Sequence, residues 1–238
     1  MTDPTKPPRR FYKAVSIEAA ENGFCVRLDG LGARTPAGKL LAAPTDALAR
    51  LLAAEWDTQA QQIVMASMPA TRLAFTALDR IGDARAAVCE EIAGYAGSDV
   101  LCYFAEAPKS LEERQIQAWG PVLDWAQEAL SLRFIRTVGV KHVAQPVETL
   151  ARAAHLAGEL DDFGLAGLAA ATALFGSAVL AFAVQRDKLS GALALDLSRL
   201  DEIYQAERWG VDAEAAVRAQ GMLAEAVMLE SWFRALAA

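Results

Sequence analysis

The stretch Leu165–Val184, LAGLAAATALFGSAVLAFAV, runs for twenty residues without a charge. Its fate constrains the fold more than any other part of the chain. A run of this length is able to cross a bilayer. Its content argues for another destination: eight of the twenty are Ala, and Gly167, Thr172, Gly176 and Ser177 dilute it further. The Leu, Phe and Val residues each favour insertion by only a few tenths of a kcal/mol. Asp161 and Asp162 precede the run, Arg186, Asp187 and Lys188 follow it, and no Trp or Tyr anchors either end. Small residues on every side suit a helix that neighbours approach closely from all round. The run is therefore read as the buried central helix of a soluble domain. A membrane-inserted subunit is the alternative that rests on this run alone.

A chain of 238 residues has room for one large domain or two modest ones. The net charge of −7 disfavours a nucleic-acid or anionic-membrane binder, which needs clustered Lys and Arg. Cys25, Cys89 and Cys102 are odd in number and lack CxxC spacing, so neither a disulfide framework nor a zinc knuckle is indicated, and a reducing compartment is. The N-terminus, MTDPTKPPRR, has no apolar core for secretion and is too short and proline-rich for a transit helix. It reads as a flexible arm.

Phe11–Ile17 alternates aromatic and β-branched residues with period two, which predicts a strand. Asn22-Gly23 supplies a tight turn, Phe24–Leu28 alternates again, and Asp29-Gly30 supplies a second turn. The chain then returns through Ala33–Thr35 and Lys39–Leu41, giving a small antiparallel meander that needs a packing partner. Thr45 is a natural N-cap for a helix bearing Leu48, Leu51, Leu52 and Trp56. Met68-Pro69 starts another helix, ended by Gly82. Beyond it no strand is expected, and helices are predicted over 84–95, 111–131, 147–159, 162–186, 190–209 and 213–236. The fold class expected is α+β: a small antiparallel β-containing N-terminal domain, 1–82, then an all-helical C-terminal domain, 83–238, with a buried central helix.

Catalytic chemistry is scarce. His142 and His155 belong to no HExxH or Glu-x-x-His pair, so no metal is indicated. The run from Ala33 to Leu40 has Gly38-Lys39 but lacks the opening Gly of a phosphate loop, and Leu40 stands where Ser or Thr would hold magnesium. Gly30 and Gly32 lack the third glycine of a dinucleotide site. No cofactor is expected. A helical enzyme with a carboxylate-based site remains the alternative from another class.

Polar and aromatic residues instead crowd at helix ends, as in protein-binding surfaces with aromatic anchors among polar groups. The candidate partner-binding residues are Trp56 and Asp57 at one helix end, Asp99 and Tyr103 at a junction, and Arg199, Asp201, Glu202, Gln205 and Trp209 near the end of the 190–209 helix. In that helix Leu193, Leu197, Leu200 and Tyr204 form the expected buried stripe, and Glu202 falls about 180° from Leu193, with Asp201 nearer the seam.

Taken in order, several strings resemble a known family: Arg10-Phe-Tyr-Lys13, Val26-Arg-Leu-Asp-Gly30, Arg34-Thr-Pro36, Ala54-Glu-Trp-Asp57 with Gln59, Met68-Pro-Ala-Thr71, Ser98-Asp-Val-Leu-Cys-Tyr103, Trp119 to Trp125, Arg199-Leu-Asp-Glu202 with Tyr204-Gln205, and Trp209-Gly210. The chain is similar, over about residues 10–210, to the ATP synthase assembly chaperones that bind the unassembled alpha subunit of the F(1) sector. The resemblance implies a non-enzymatic chaperone without cofactor, monomeric when free, that shields the alpha-subunit surface later met by the beta subunit. It binds no nucleic acid and does not insert into a membrane. It also implies that an acidic residue in the Leu-Asp-Glu-x-Tyr-Gln string matters for function, and Glu202 matches that position. Eukaryotic members lie in the mitochondrial matrix; without a presequence this chain is expected in a bacterial cytoplasm.

Overall fold

The computed structural model describes residues 7–21, 23–210 and 212–238. The N-terminal arm up to residue 6 and Asn22 of the first expected turn lie outside these. Two compact units emerge. One takes the described residues up to Ala84 with Asp162–Gly167 and Ser231–Ala238; the other takes Arg85–Asp161 and Leu168–Glu230.

In the first unit, β1 (Val15–Ala20) and β2 (Gly23–Leu28) pair antiparallel, with Val15 opposite Leu28 and Ala20 opposite Gly23. Strands β3 (Leu31–Gly32) and β4 (Ala42–Ala43) also pair with β2, which is thus the hub of the sheet. Asp29 and Gly30 take positive φ of 49° and 80°, as a two-residue hairpin turn asks. The expected strand at Phe11–Ile17 starts four residues late. Lys13 and Ala14 give their N–H groups to the Asp29 carboxylate, at 2.8–3.1 Å, and Tyr12 is buried with its hydroxyl donating to Trp56 O at 2.7 Å. These tertiary bonds claim the segment before a ladder can.

Helix α1 (Asp46–Asp57) covers the sheet. Thr45 caps it, accepting from Leu48 N at 3.1 Å, and Leu48, Ala49, Leu52 and Trp56 turn into the core. Near its other end Glu55 caps a different helix, α2 (Pro69–Thr76), whose own N-cap Met68 offers no side-chain acceptor. The two Glu55 oxygens accept from Ala70 N at 2.8 Å and Thr71 N at 2.7 Å, and burial pushes its carboxyl above the ordinary value against those bonds. Gly82 does not end this helix. The chain passes through a wider helical turn, Ala77–Ile81, and continues as α3 (Gly82–Gly97), because Gly82 keeps right-handed helical angles.

In the second unit a short parallel pair appears where no strand was expected: β5 (Tyr103–Phe104) beside β6 (Thr137–Val138). Helix α4 (Lys109–Leu130) is the spine, and α5 (Val147–Gly158) follows. The twenty-residue apolar run is two helices rather than one. Helix α6 (Asp162–Phe175) stops at Gly176, with φ of 62°, and Ser177 caps α7 (Ala178–Gln185) by accepting from Leu180 N at 3.0 Å. From Ala178 to Val184 every residue of α7 is buried, so the enclosed stretch is seven residues long. No helix among the described residues is long and apolar enough to cross a membrane.

The predicted 190–209 helix is also two, α8 (Gly191–Ser198) and α9 (Leu200–Trp209), broken at Arg199. Because the phase resets there, Leu193 is not part of a common buried stripe; it is 46% exposed, whereas Leu197, Leu200 and Tyr204 are buried. The last helix, α10 (Ala213–Ala237), passes so close to α8 that a Cβ on Gly191 would lie 2.0 Å from the Ala226 carbonyl oxygen.

Candidate functional site

Helix α9 is held on α4 by side chains that one face of each presents. Trp119, buried on α4, donates through Nε1 to Leu197 O at 2.9 Å and fixes the segment leading into α9. Ser110 and the Tyr204 hydroxyl share a 2.5 Å hydrogen bond. Gln115, with no exposed surface, donates to Asp201 Oδ1 at 2.7 Å while its own oxygen accepts from Ala105 N at 2.6 Å. Arg114 grips Glu207 with two nitrogens at 2.6 and 3.0 Å, and that charge-assisted bond holds the Glu207 carboxyl below its ordinary value. Arg208 lies over the Tyr204 ring, 3.4 Å from its centroid.

These bonds use up one side of α9 and leave the other to solvent. Glu202 and Gln205 are exposed, and Trp209 is 77% exposed. At 100° per residue Gln205 lies about 60° from Glu202 and Trp209 about 20°, so the three form one row. The result is a carboxylate, an amide and an indole on a helix braced from behind. Such a row offers charge, hydrogen bonding and apolar area to a partner surface.

The other sequence-predicted site residues are dispersed. Arg199, half-buried, is the break between α8 and α9, and Asp201 faces α4. Trp56 is 7% exposed and stands in the core of the first unit. Asp57 is on the surface beside Arg10, whose guanidinium also donates to the carbonyls of Asp57 and Gln59. Tyr103 is half-buried, its hydroxyl 3.2 Å from His142 Nδ1. Asp99 is completely buried. Its oxygens accept from Leu101 N at 3.2 Å and Val179 N at 3.0 Å, and burial pushes its carboxyl up to about 6 although those bonds pull the other way. A carboxylate so committed to backbone amides is a helix cap, not a reacting group. Among the described residues no cluster of His, Cys, Asp and Glu has a metal-binding arrangement.

Sequence reasoning missed the α4 clamp of Ser110, Arg114 and Gln115. One signal was available: Gln115 sits on the stripe Leu111, Trp119, Leu123, where an apolar residue belongs. A polar residue on a core face needs a partner.

The family model of the ATP12 chaperone protein matches residues 9–127. Protein atp12, mitochondrial, of Schizosaccharomyces pombe is 23% identical over 214 residues, covering 85% of this chain and 74% of that protein. The crystal structure of Atp12 from Paracoccus denitrificans superposes with a TM-score of 0.90 at 37% identity, covering 96% of this chain and 98% of the other. That of a protein from Agrobacterium tumefaciens gives 0.90 at 42% identity, with 96% and 86% covered. The expected mixed α+β architecture is the one these structures share, and a chaperone family leaves no role for the enzyme alternative. The chain belongs to the ATP12 chaperone protein family.

Proposed function

We propose that this chain is an ATP synthase assembly chaperone that binds the unassembled alpha subunit of the F(1) sector, keeps it from aggregating and passes it to the beta subunit. The observation that carries the reading is the solvent-facing row Glu202, Gln205 and Trp209 on a helix whose opposite face is fully engaged. A partner surface needs rigid anchors, because side chains that are already ordered lose less entropy on binding. Trp209 supplies the kind of aromatic anchor found at interface centres, and Glu202 supplies a charge that selects a basic partner group. An alpha subunit without its neighbours exposes large interfaces that are sticky while unfilled. Covering one requires shape and a few charges, not turnover.

The remaining expectations belong to the same proposal. The sequence domains are 1–82 and 83–238, with Asp162–Gly167 and Ser231–Ala238 of the second packing into the compact unit of the first, the free protein is a monomer, and it works in a bacterial cytoplasm as eukaryotic relatives work in the mitochondrion. Arg199, Asp201, Asp99 and Tyr103 would act by shaping the unit that carries Glu202, Gln205 and Trp209, and Trp56 and Asp57 would act within the first unit.

Light scattering of isolated alpha subunit, with and without the purified chain, tests the proposal. Aggregation should be suppressed at about one-to-one stoichiometry, and added beta subunit should compete. Equal protection of beta or of unrelated unfolded proteins would remove the client assignment.

A further inference from the structure

The first unit contains a cavity of about 570 Å³, walled by Tyr12, Leu28, Trp56, Ile63 and Phe75. Its size is that of a ligand site. Two observations make it more than a packing gap. Phe11 and Leu31, which also line the cavity, are 74% and 76% exposed, so apolar surface continues from its walls into solvent. Arg34 lines it too, is exposed, donates to Gly38 O at 2.6 Å, and has no carboxylate partner among the described residues. The one carboxylate in the lining, Asp29, is occupied by the N–H groups of Lys13 and Ala14.

Charge supports a definite occupant. Of the cations between residues 7 and 41, Arg10 pairs with Asp57 and Arg27 with Glu18, and Arg34 is the one that lines the cavity, left for a carboxylate brought by the occupant. The strings Arg10-Phe-Tyr-Lys13, Val26-Arg-Leu-Asp-Gly30, Arg34-Thr-Pro36 and Ala54-Glu-Trp-Asp57, none used by α9, all contribute to the lining. The family match of residues 9–127 includes every lining residue but Pro8 and stops well before α9.

We propose that this cavity is a second docking site, for an extended client segment in which a bulky apolar side chain is flanked by a carboxylate. The apolar side chain fills the cavity and the flanking carboxylate pairs with Arg34. A cofactor is a poorer occupant, because the lining offers too few convergent polar groups to orient one. The site rests on the chaperone reading for its biological use, but its chemistry is testable without the alpha subunit.

The probe is a labelled, end-capped octapeptide with a central phenylalanine flanked by two aspartates, titrated with the full chain by fluorescence anisotropy. Replacing the phenylalanine by serine should weaken binding by about tenfold or more. Replacing both aspartates by lysine should weaken it by roughly two- to fivefold, the size of an exposed charge pair. Arg34→Glu should reverse that order, so that the lysine-flanked peptide binds better, which a merely misfolded variant would not do. Leu31→Ser should weaken both peptides. The site is refuted if the serine peptide binds as well as the phenylalanine one, or if Arg34→Glu keeps the preference for aspartate. Should wild-type chain ignore intact alpha subunit while showing the peptide pattern, the client assignment falls and the cavity stands.

Discussion

Gln115 donates to Asp201 across 86 positions of sequence, at 2.7 Å, while Glu202 beside Asp201 faces solvent. Two adjacent acids thus have separate duties. Asp201→Ala would leave the buried Gln115 amide short of a partner and should cost about 1–3 kcal/mol of stability. Glu202→Gln should change stability by less than about 0.5 kcal/mol while weakening alpha-subunit binding more than about tenfold, since truncating one side of a desolvated charge pair costs about 2–5 kcal/mol. Chemical denaturation and a binding titration on the same samples check both. Glu207→Gln breaks only the exposed pair with Arg114 and should bind normally. Normal binding by Glu202→Gln would sink the assignment.

Trp209 is the most exposed tryptophan-sized anchor on α9, at the helix end next to Gly210. Trp209→Ser should leave the melting temperature almost unchanged, because the indole leaves no core void behind it. Binding should fall by about tenfold or more if the indole is a central anchor, worth about 2 kcal/mol. A calorimetric titration against the alpha subunit that shows equal affinity would move the interface elsewhere.

Asp99 makes stability depend on pH in a direction opposite to an ordinary salt-bridged carboxylate. Its folded pKa is raised to about 6 by burial, so the folded state binds more protons than the unfolded state between the two values. Stability attributable to this group is therefore greatest at low pH and declines as pH rises through the window. Against Asp99→Asn, which does not titrate, the wild-type chain should lose on the order of 3 kcal/mol between about pH 4 and about pH 7. Urea midpoints across that range provide the measurement. A flat difference would show that the carboxylate is ionised throughout.

Two glycines should respond with opposite signs. At Gly191 an added Cβ would meet the Ala226 carbonyl at 2.0 Å, backbone that cannot swing away, so Gly191→Ala should destabilise by about 1–3 kcal/mol or more. At Gly221, exposed in α10, nothing lies within 4 Å, and Gly221→Ala should stabilise by about 0.5–1 kcal/mol through helix propensity. Thermal unfolding of the two variants side by side separates close approach from propensity. If both stabilise, α8 and α10 do not pack as described.

The elements whose causes lie within a few residues were legible directly. Thr45 caps α1, Asp29-Gly30 turns the hairpin, and Gly210, with φ of 89°, closes α9, all from local dihedral and hydrogen-bond chemistry. Glu202 is solvent-facing as its phase suggested, although Leu193, one of the four stripe residues used to place it, is exposed because the helix breaks at Arg199.

What depends on distant partners was not legible. Alternation at Phe11–Ile17 describes a strand equally well whether or not the Asp29 carboxylate is there to take two of its amides. The apolar run Leu165–Val184 contains its own stop and cap, Gly176-Ser177, but a uniform hydropathy outweighs them until Asp99, 80 positions from Val179, anchors the second helix start. Trp56 and Trp209 are the same residue type at the ends of two amphipathic helices. One is buried and the other exposed because the first has a sheet to cover and the second only solvent. Sequence determines which local conformations are cheap and where a polar group will need a partner. Tertiary structure decides which partner it finds, because burial is a property of everything that packs around a residue, and most of that comes from elsewhere in the chain.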